Sequence, residues 1–236
     1  MSASSTDSAP ANLQAFTLLD LAQYTREKEY ATNASSDYHL FYVGRDDVHE
    51  ILKHVLSRVQ VSLYLNMFGF DDDELNDVIM EKAADPSITV LITLDKSQAG
   101  GVHEKKILAS DMAKDPVAFN AHFAIGQSQT HQITHTKGFV ADGRVAAEGS
   151  TNWSSSGEGS YIVLGQDAKQ QSGFKAQNNT QSIITDADTC SRFTAELIAE
   201  HMTAKSQGGT LGRSAPPSGS ATSPTTPPGV GARTTS

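Results

Sequence analysis

Short apolar runs alternate with amphipathic ones from Tyr38 to Lys114, and this alternation restricts the fold more than any other feature of the chain. Tyr38 to Val43 is apolar and aromatic, ends at Gly44, and reads as a strand. Asp46 to Val59 places Val48, Ile51, Leu52, Val55, Leu56 and Val59 at helical spacing, with Asp46 or Asp47 available as a cap. Val61 to Phe68 returns to strand composition. Asp72 to Ala84 is helical, with its acids in the first turn, where the helix dipole favours them. Ser87 to Leu94 reads as a buried strand and His103 to Lys114 as a third helix. Units of this length predict β-α-β connections and a mixed, largely parallel sheet flanked by helices, an α/β sandwich.

The texture changes after Ala121. Short strands are expected at Phe123–Ile125, Gln132–Val140 and Val145–Glu148, with Asp142-Gly143 turning between the last two. Tyr161–Leu164 and Ser182–Ile184 are further strand candidates. A closing helix is expected over Ala187–Lys205, with Phe193, Leu197 and Ile198 inward. Residues 38–205 thus form the expected domain. Residues 1–12 read as a disordered lead and 13–37 as a segment with some helical character. Residues 206–236 hold five of the chain's eight prolines and almost no large apolar side chain, so they are expected to be a disordered tail.

Composition removes several classes. The single cysteine, Cys190, allows neither an intramolecular disulfide nor a cysteine-built zinc cluster. No apolar run is long enough to cross a bilayer, and residues 1–12 lack the basic start and apolar stretch of a signal peptide, so a cytoplasmic location is expected. The formal net charge is −9. That is unlike proteins that hold nucleic acid chiefly through phosphates. Asp71, Asp72, Asp73, Glu74, Asp77 and Glu81 crowd one early segment, read as a solvated helix face. From residue 101 to 200 the balance is milder, 8 basic against 11 acidic residues, which leaves room for a local positive pocket.

The chemistry concentrates between His135 and Ser154. On a strand, His135 and Lys137 would share a face, with Cα atoms roughly 7 Å apart. An imidazole and an ammonium would then surround one small anion. After the turn, the returning strand ends at Gly149-Ser150, where the lack of a side chain lets backbone approach a ligand. Ser150 and Asn152 add neutral donors. A nucleophile, a positive charge and donors for equatorial oxygens are what a phosphate diester needs. His131, four residues before His135, would lie about 13 Å away on a strand, too far to share an ion. His39, His49, His54, His103 and His201 show no constellation and read as surface or filler residues. Trp153 reads as core.

The stretch also resembles the HKD motif of the phospholipase D superfamily: His-x-Lys, four residues, Asp, six residues, Gly-Ser, and Asn two after the Ser. His135, Lys137, Asp142, Gly149, Ser150 and Asn152 keep every spacing. Average residue usage would give such a match by chance in roughly fewer than one chain in ten thousand. The strand-helix pattern from residue 38 to about 203 looks like that fold as well. The resemblance implies a phosphodiesterase that works without metal or other cofactor through a phosphohistidine. His135 would be the nucleophile and Lys137 the phosphate-binding lysine. Asn152 and Ser150 would be further phosphate ligands, and Asp142 and Gly149 structural residues of the motif. The substrate would be a nucleic acid or a phospholipid; a phosphate-binding protein without activity is the alternative of another class. Only one motif is present, as in the branch in which two chains pair to share a site, so a homodimer is expected. Many relatives carry a Glu in a later Asn-rich strand that orients the catalytic His. Here that region reads Gln177-Asn178-Asn179-Thr180-Gln181, leaving Asn179, Glu148 or Glu158 for the task.

Overall fold

A computed structural model describes residues 17–99, 101–127, 133–159 and 176–207. Among these, seven strands form one sheet in the order β1-β7-β6-β5-β2-β3-β4. The strands are β1 Tyr38–Tyr42, β2 Ser62–Met67, β3 Thr89–Asp95, β4 Phe123–Gly126, β5 Lys137–Ala141, β6 Val145–Gly149 and β7 Thr180–Ile184. The helices are α1 Val48–Ser57, α2 Asp73–Ala84, α3 Val102–Lys114, α4 Pro116–His122, α5 Ser155–Glu158 and α6 Ala187–Ser206.

The helix starts follow from short acids. Asp47 accepts the Glu50 N–H ahead of α1, and Asp72 accepts the Leu75 N–H ahead of α2. Behind the caps, Val48, Ile51, Leu52, Val55 and Leu56 are buried along one side of α1. They join Leu63, Leu65, Met67, Ile79, Phe139 and Trp153 in the larger core. The other face of the sheet carries α6, where Cys190 and Leu197 pack with Val140 and Ala146. The sheet is thus covered on both sides, and every residue of β5 is buried.

The sheet is mixed, but less parallel than the alternation predicts. Only β2–β3 and β3–β4 are parallel; β2–β5, β5–β6, β6–β7 and β7–β1 are antiparallel. Helical crossovers generate the parallel pairs. The Asp142-Gly143 hairpin generates β5–β6, the return of β7 generates β6–β7 and β7–β1, and β5 itself enters antiparallel to β2. Within the segment expected to have helical character, residues 18–24 form a 3-10 helix capped by Thr17. Two short helices escape the periodicity argument, α4 and α5. Asp115 caps α4, whose first residue is Pro116. Strand β5 also starts later than expected: residues 133–136 are irregular, so His135 precedes the strand. The expected strand at Tyr161–Leu164, residue His131, the N-terminal lead and the tail from residue 208 lie outside the described residues.

The β5–β6 turn fixes the motif's register. Asp142 and Gly143 both have positive φ, +54° and +64°, as a two-residue hairpin of the I′ kind requires. The Asp142 carboxylate accepts the backbone N–H groups of Gln60, Val61 and Ser62, binding the turn to the start of β2. Asp142→Ala is expected to lower stability by about 2–4 kcal/mol, since charge-assisted hydrogen bonds are lost and the Ser62 amide is buried. Denaturant melts check this; a loss under about 0.5 kcal/mol would show the contacts to be idle.

Candidate active site

The start of β5 and the end of β6 lie side by side in the middle of the sheet, at one end of its strands. Lys137 opens β5 opposite Met67 of β2, and Gly138 faces Glu148 of β6. Gly149 ends β6 against β7, where a Cβ would stand 2.2 Å from the Thr180 carbonyl oxygen. Any side chain there would push β6 and β7 apart, so this glycine is demanded by close approach.

His135 and Lys137 come together, though not as neighbours on one strand face. The Lys137 side chain folds back, its Nζ 2.9 Å from the His135 carbonyl oxygen and 3.3 Å from each ring nitrogen. Phe68 floors the pair: its ring centroid is 4.5 Å from that of His135 and 5.0 Å from the Lys137 ammonium. His135 is exposed, whereas Lys137 is 5% exposed. Burial lowers the Lys137 pKa, and Glu148 partly opposes that shift. Both residues line an open cleft of about 440 Å³ with Asn66, Glu148, Phe193 and Glu200.

The remaining motif residues take other positions. Ser150 Oγ donates to Asn179 Oδ1 at 3.1 Å and accepts the Thr180 N–H at 3.0 Å, so its hydroxyl is engaged with β7. Asn152 lies beyond Phe68, in a smaller cavity of about 210 Å³ that Gly69, Gln98 and Glu104 also line. Its Oδ1 is buried without a hydrogen-bond partner. Trp153 holds the loop: its N–H donates to the Gly69 carbonyl and its carbonyl accepts the Asp71 N–H. The indole is buried, as its core reading requires. Glu104 accepts the Phe70 N–H, and burial pushes its carboxyl up to about 8.

The candidates for orienting His135 are not bonded to it. Asn179 spends its Oδ1 on Ser150 and its Nδ2 on Gly157 and Gln177. Glu148 lines the cleft, but among the described residues the ring nitrogens of His135 have Lys137 as their partner. Glu158 is elsewhere, under His49.

His49 was expected to be surface or filler and is neither. It is buried on α1, with Nδ1 2.5 Å from Glu158 Oε2 and 3.5 Å from Asp72 Oδ2, and Nε2 3.0 Å from Glu74 Oε2. Burial works against the charged ring, yet Glu158, Asp72 and Glu74 together raise its pKa to about 9. Burial raises Glu158 to about 7. The acids read as a solvated face thus include two that turn toward this histidine. His201 is also buried, bonded to Thr93 Oγ1, and burial lowers its pKa to about 4. His39 stacks on Tyr30 and His54 bonds the Tyr24 hydroxyl, so these too have defined partners.

No family model and no curated protein matches the sequence. Solved structures do resemble the fold. NucT from Helicobacter pylori superposes with a TM-score of 0.52 at 15% identity, over 71% of this chain and 96% of that one. The phospholipase D family member Nuc from Salmonella typhimurium gives 0.49 at 12% identity, over 69% and 92%. Phosphatidylserine synthase from Haemophilus influenzae gives 0.48 at 10%, over 75% and 38%. None of the helices among the described residues is long and apolar enough to cross a membrane. Six motif residues at fixed spacing and a seven-stranded mixed sheet whose central strand begins at Lys137 occur in one chain, and its fold is a mixed α/β fold similar to that of NucT from Helicobacter pylori.

Proposed function

We propose that the chain is a phosphodiesterase in which His135 attacks phosphorus and Lys137 binds the phosphoryl oxygens. The observation that carries this reading is the His135–Lys137 pair at 3.3 Å, at the wall of an open cleft. A nucleophile and a cation at that separation fit around one tetrahedral phosphate. Asn152, one cavity away, and Ser150, tied to β7, act as ligands only if the Asn152–Trp153 loop and Phe68 shift on binding, or if a second chain completes the site. The proposed chemistry asks for no metal, because the buried Lys137 ammonium supplies positive charge at the phosphate.

A nucleic acid or a smaller diester is the favoured substrate. A phospholipid head group is the second reading, and the observation favouring it is the cleft lining: Ile133 and Phe193 are apolar, and the Glu148 carboxylate disfavours a polyanion. Initial rates on bis-(p-nitrophenyl) phosphate, single-stranded DNA, RNA and phosphatidylcholine, with and without EDTA, test both. Hydrolysis of none would leave a phosphate-binding protein. Rates abolished by chelation with the melting curve unchanged, and restored by a divalent ion, would overturn the metal-free mechanism.

The mechanism needs a nucleophile and a separate general acid, but the motif occurs once. A two-fold axis at the cleft would bring a second His135. Wild type refolded with an equal amount of His135→Ala chains, with random exchange, should then keep about a quarter of full activity, by two-fold pairing statistics. Chains that work alone would keep about half.

A further inference from the structure

We propose that His49, Asp72 and Glu158 bind one divalent transition-metal ion of the Zn²⁺ class, which ties α1, the β2–α2 turn and α5 together. One ligand atom from each lies within 4.8 Å of the others. The site goes beyond the phosphodiesterase reading and does not depend on it.

The three side chains are aimed and constrained like ligands. Asp72 Oδ1 accepts the Leu75 N–H at 2.7 Å, which leaves Oδ2 facing His49. Glu158 has a fully buried side chain, and its Oε1 has no hydrogen-bond partner. Since Oε2 of the same carboxylate contacts His49 Nδ1, Oε1 lies beside the cluster. A buried carboxylate oxygen left unpaired is costly, and an ion would satisfy it. The outer ring nitrogen of His49 meets Glu74, itself paired with Lys53. A carboxylate on the second nitrogen is the usual support of a metal-bound histidine, because it fixes the tautomer and raises basicity.

Charge and size agree. Asp72 and Glu158 face one imidazole, with Asp71 close enough to add to the negative field at Glu158. A divalent ion replacing the Nδ1 proton leaves the group nearer neutrality. Metal–ligand bonds of about 2.0–2.1 Å in a tetrahedral site separate donor atoms by roughly 3.3 Å. The Nδ1–Asp72 distance of 3.5 Å already suits this, and the Nδ1–Glu158 distance of 2.5 Å must open by less than about 1 Å. One imidazole with two carboxylates favours Zn²⁺ over Mg²⁺ or Ca²⁺, which prefer all-oxygen shells. The ion would brace the loop that carries Asn152, since Asp71 and Trp153 hydrogen-bond across the same two segments.

The test uses the full chain, stripped with EDTA, freed of chelator and titrated with ZnCl₂ by calorimetry and by thermal melting. One equivalent should bind with a Kd of about 10 μM or tighter and release a proton from His49. At a hundredfold excess over Kd the melting temperature should rise by roughly 5–10 °C, and equal Mg²⁺ should do much less. Glu158→Gln keeps the shape and Asp72→Asn keeps the helix cap; each should weaken Zn²⁺ binding at least tenfold. If Glu158→Gln does not fold, Asp72→Asn decides alone. No uptake by wild type below about 100 μM, or wild-type affinity in either folded variant, overturns the site. Binding is the readout throughout, so a failure here leaves the phosphodiesterase reading standing, and the reverse holds.

Discussion

His135→Ala is expected to abolish phosphodiester turnover while leaving the fold intact. The residue is exposed, sits in an irregular segment, and touches Phe68 and Lys137. Removing such a ring should cost little stability, because among the described residues the exposed ring contacts only Phe68 and Lys137. The catalytic loss should be large for the opposite reason. If the imidazole forms the covalent intermediate, no second imidazole among the described residues lines the cleft to replace it: its polar walls are the Asn66 amide, the Thr134 and Thr136 hydroxyls, the Lys137 ammonium and carboxylates. A loss of about ten-thousand-fold or more is the scale seen when a nucleophile is deleted. Initial rates and a melting curve on the same preparation check both halves. Rates within a few-fold of wild type, or loss of the fold, would falsify the assignment of His135 as a dispensable scaffold residue and essential nucleophile.

Much of the scaffold is legible in the sequence because its signals are local. Asp47 and Asp72 sit where an N-cap belongs, and both cap. Asp142-Gly143 is a turn pair in any context, and the turn is where the chain reverses. The parallel share of the sheet was overestimated because strand pairing is a long-range property. Nothing in Thr180–Ile184 says that it returns between β1 and β6. Helix α4 was hidden because its seven residues are too few for a helical period to show.

The site was legible to a different depth. The strand-turn-strand pattern sets Lys137 at the start of β5 and Gly149 at the end of β6, because the two strands are short, adjacent and joined by a tight turn. It misplaced the geometry of His135, since residues 133–136 leave strand conformation and Lys137 folds back to reach it. Ser150 and Asn152 follow the end of β6, where alternation no longer fixes direction, and they separate toward β7 and Phe68. The cluster at His49 left no trace in spacing. Its members come from α1, the β2–α2 turn and α5, and only the packed sheet brings them together.

Lys137→Ala is expected to cost at least about a hundredfold in rate, the scale of deleting a strong oxyanion contact. The residue is buried, and among the described residues no carboxylate lies within ion-pair distance of it. Its ammonium rests on the His135 carbonyl oxygen and the Phe68 ring. Burial has therefore already stripped much of its water, which lowers its pKa in the free protein. A phosphate entering the cleft restores a counter-charge to a cation that needs no further desolvation. That interaction strengthens as negative charge builds on the equatorial oxygens, so the loss should fall on kcat more than on KM. In the proposed reaction the ammonium would turn from the His135 ring nitrogens, 3.3 Å away, to the phosphate, which would free the imidazole lone pair for attack. Lys137→Arg keeps the charge, but its planar guanidinium fits poorly in a site only 5% exposed, so it should recover part of the loss and not all of it. Steady-state kinetics of both variants on bis-(p-nitrophenyl) phosphate decide the matter. Unchanged kinetics in Lys137→Ala would mean that the anion binds elsewhere, and a loss confined to KM would mean that Lys137 holds the substrate without stabilising the transition state.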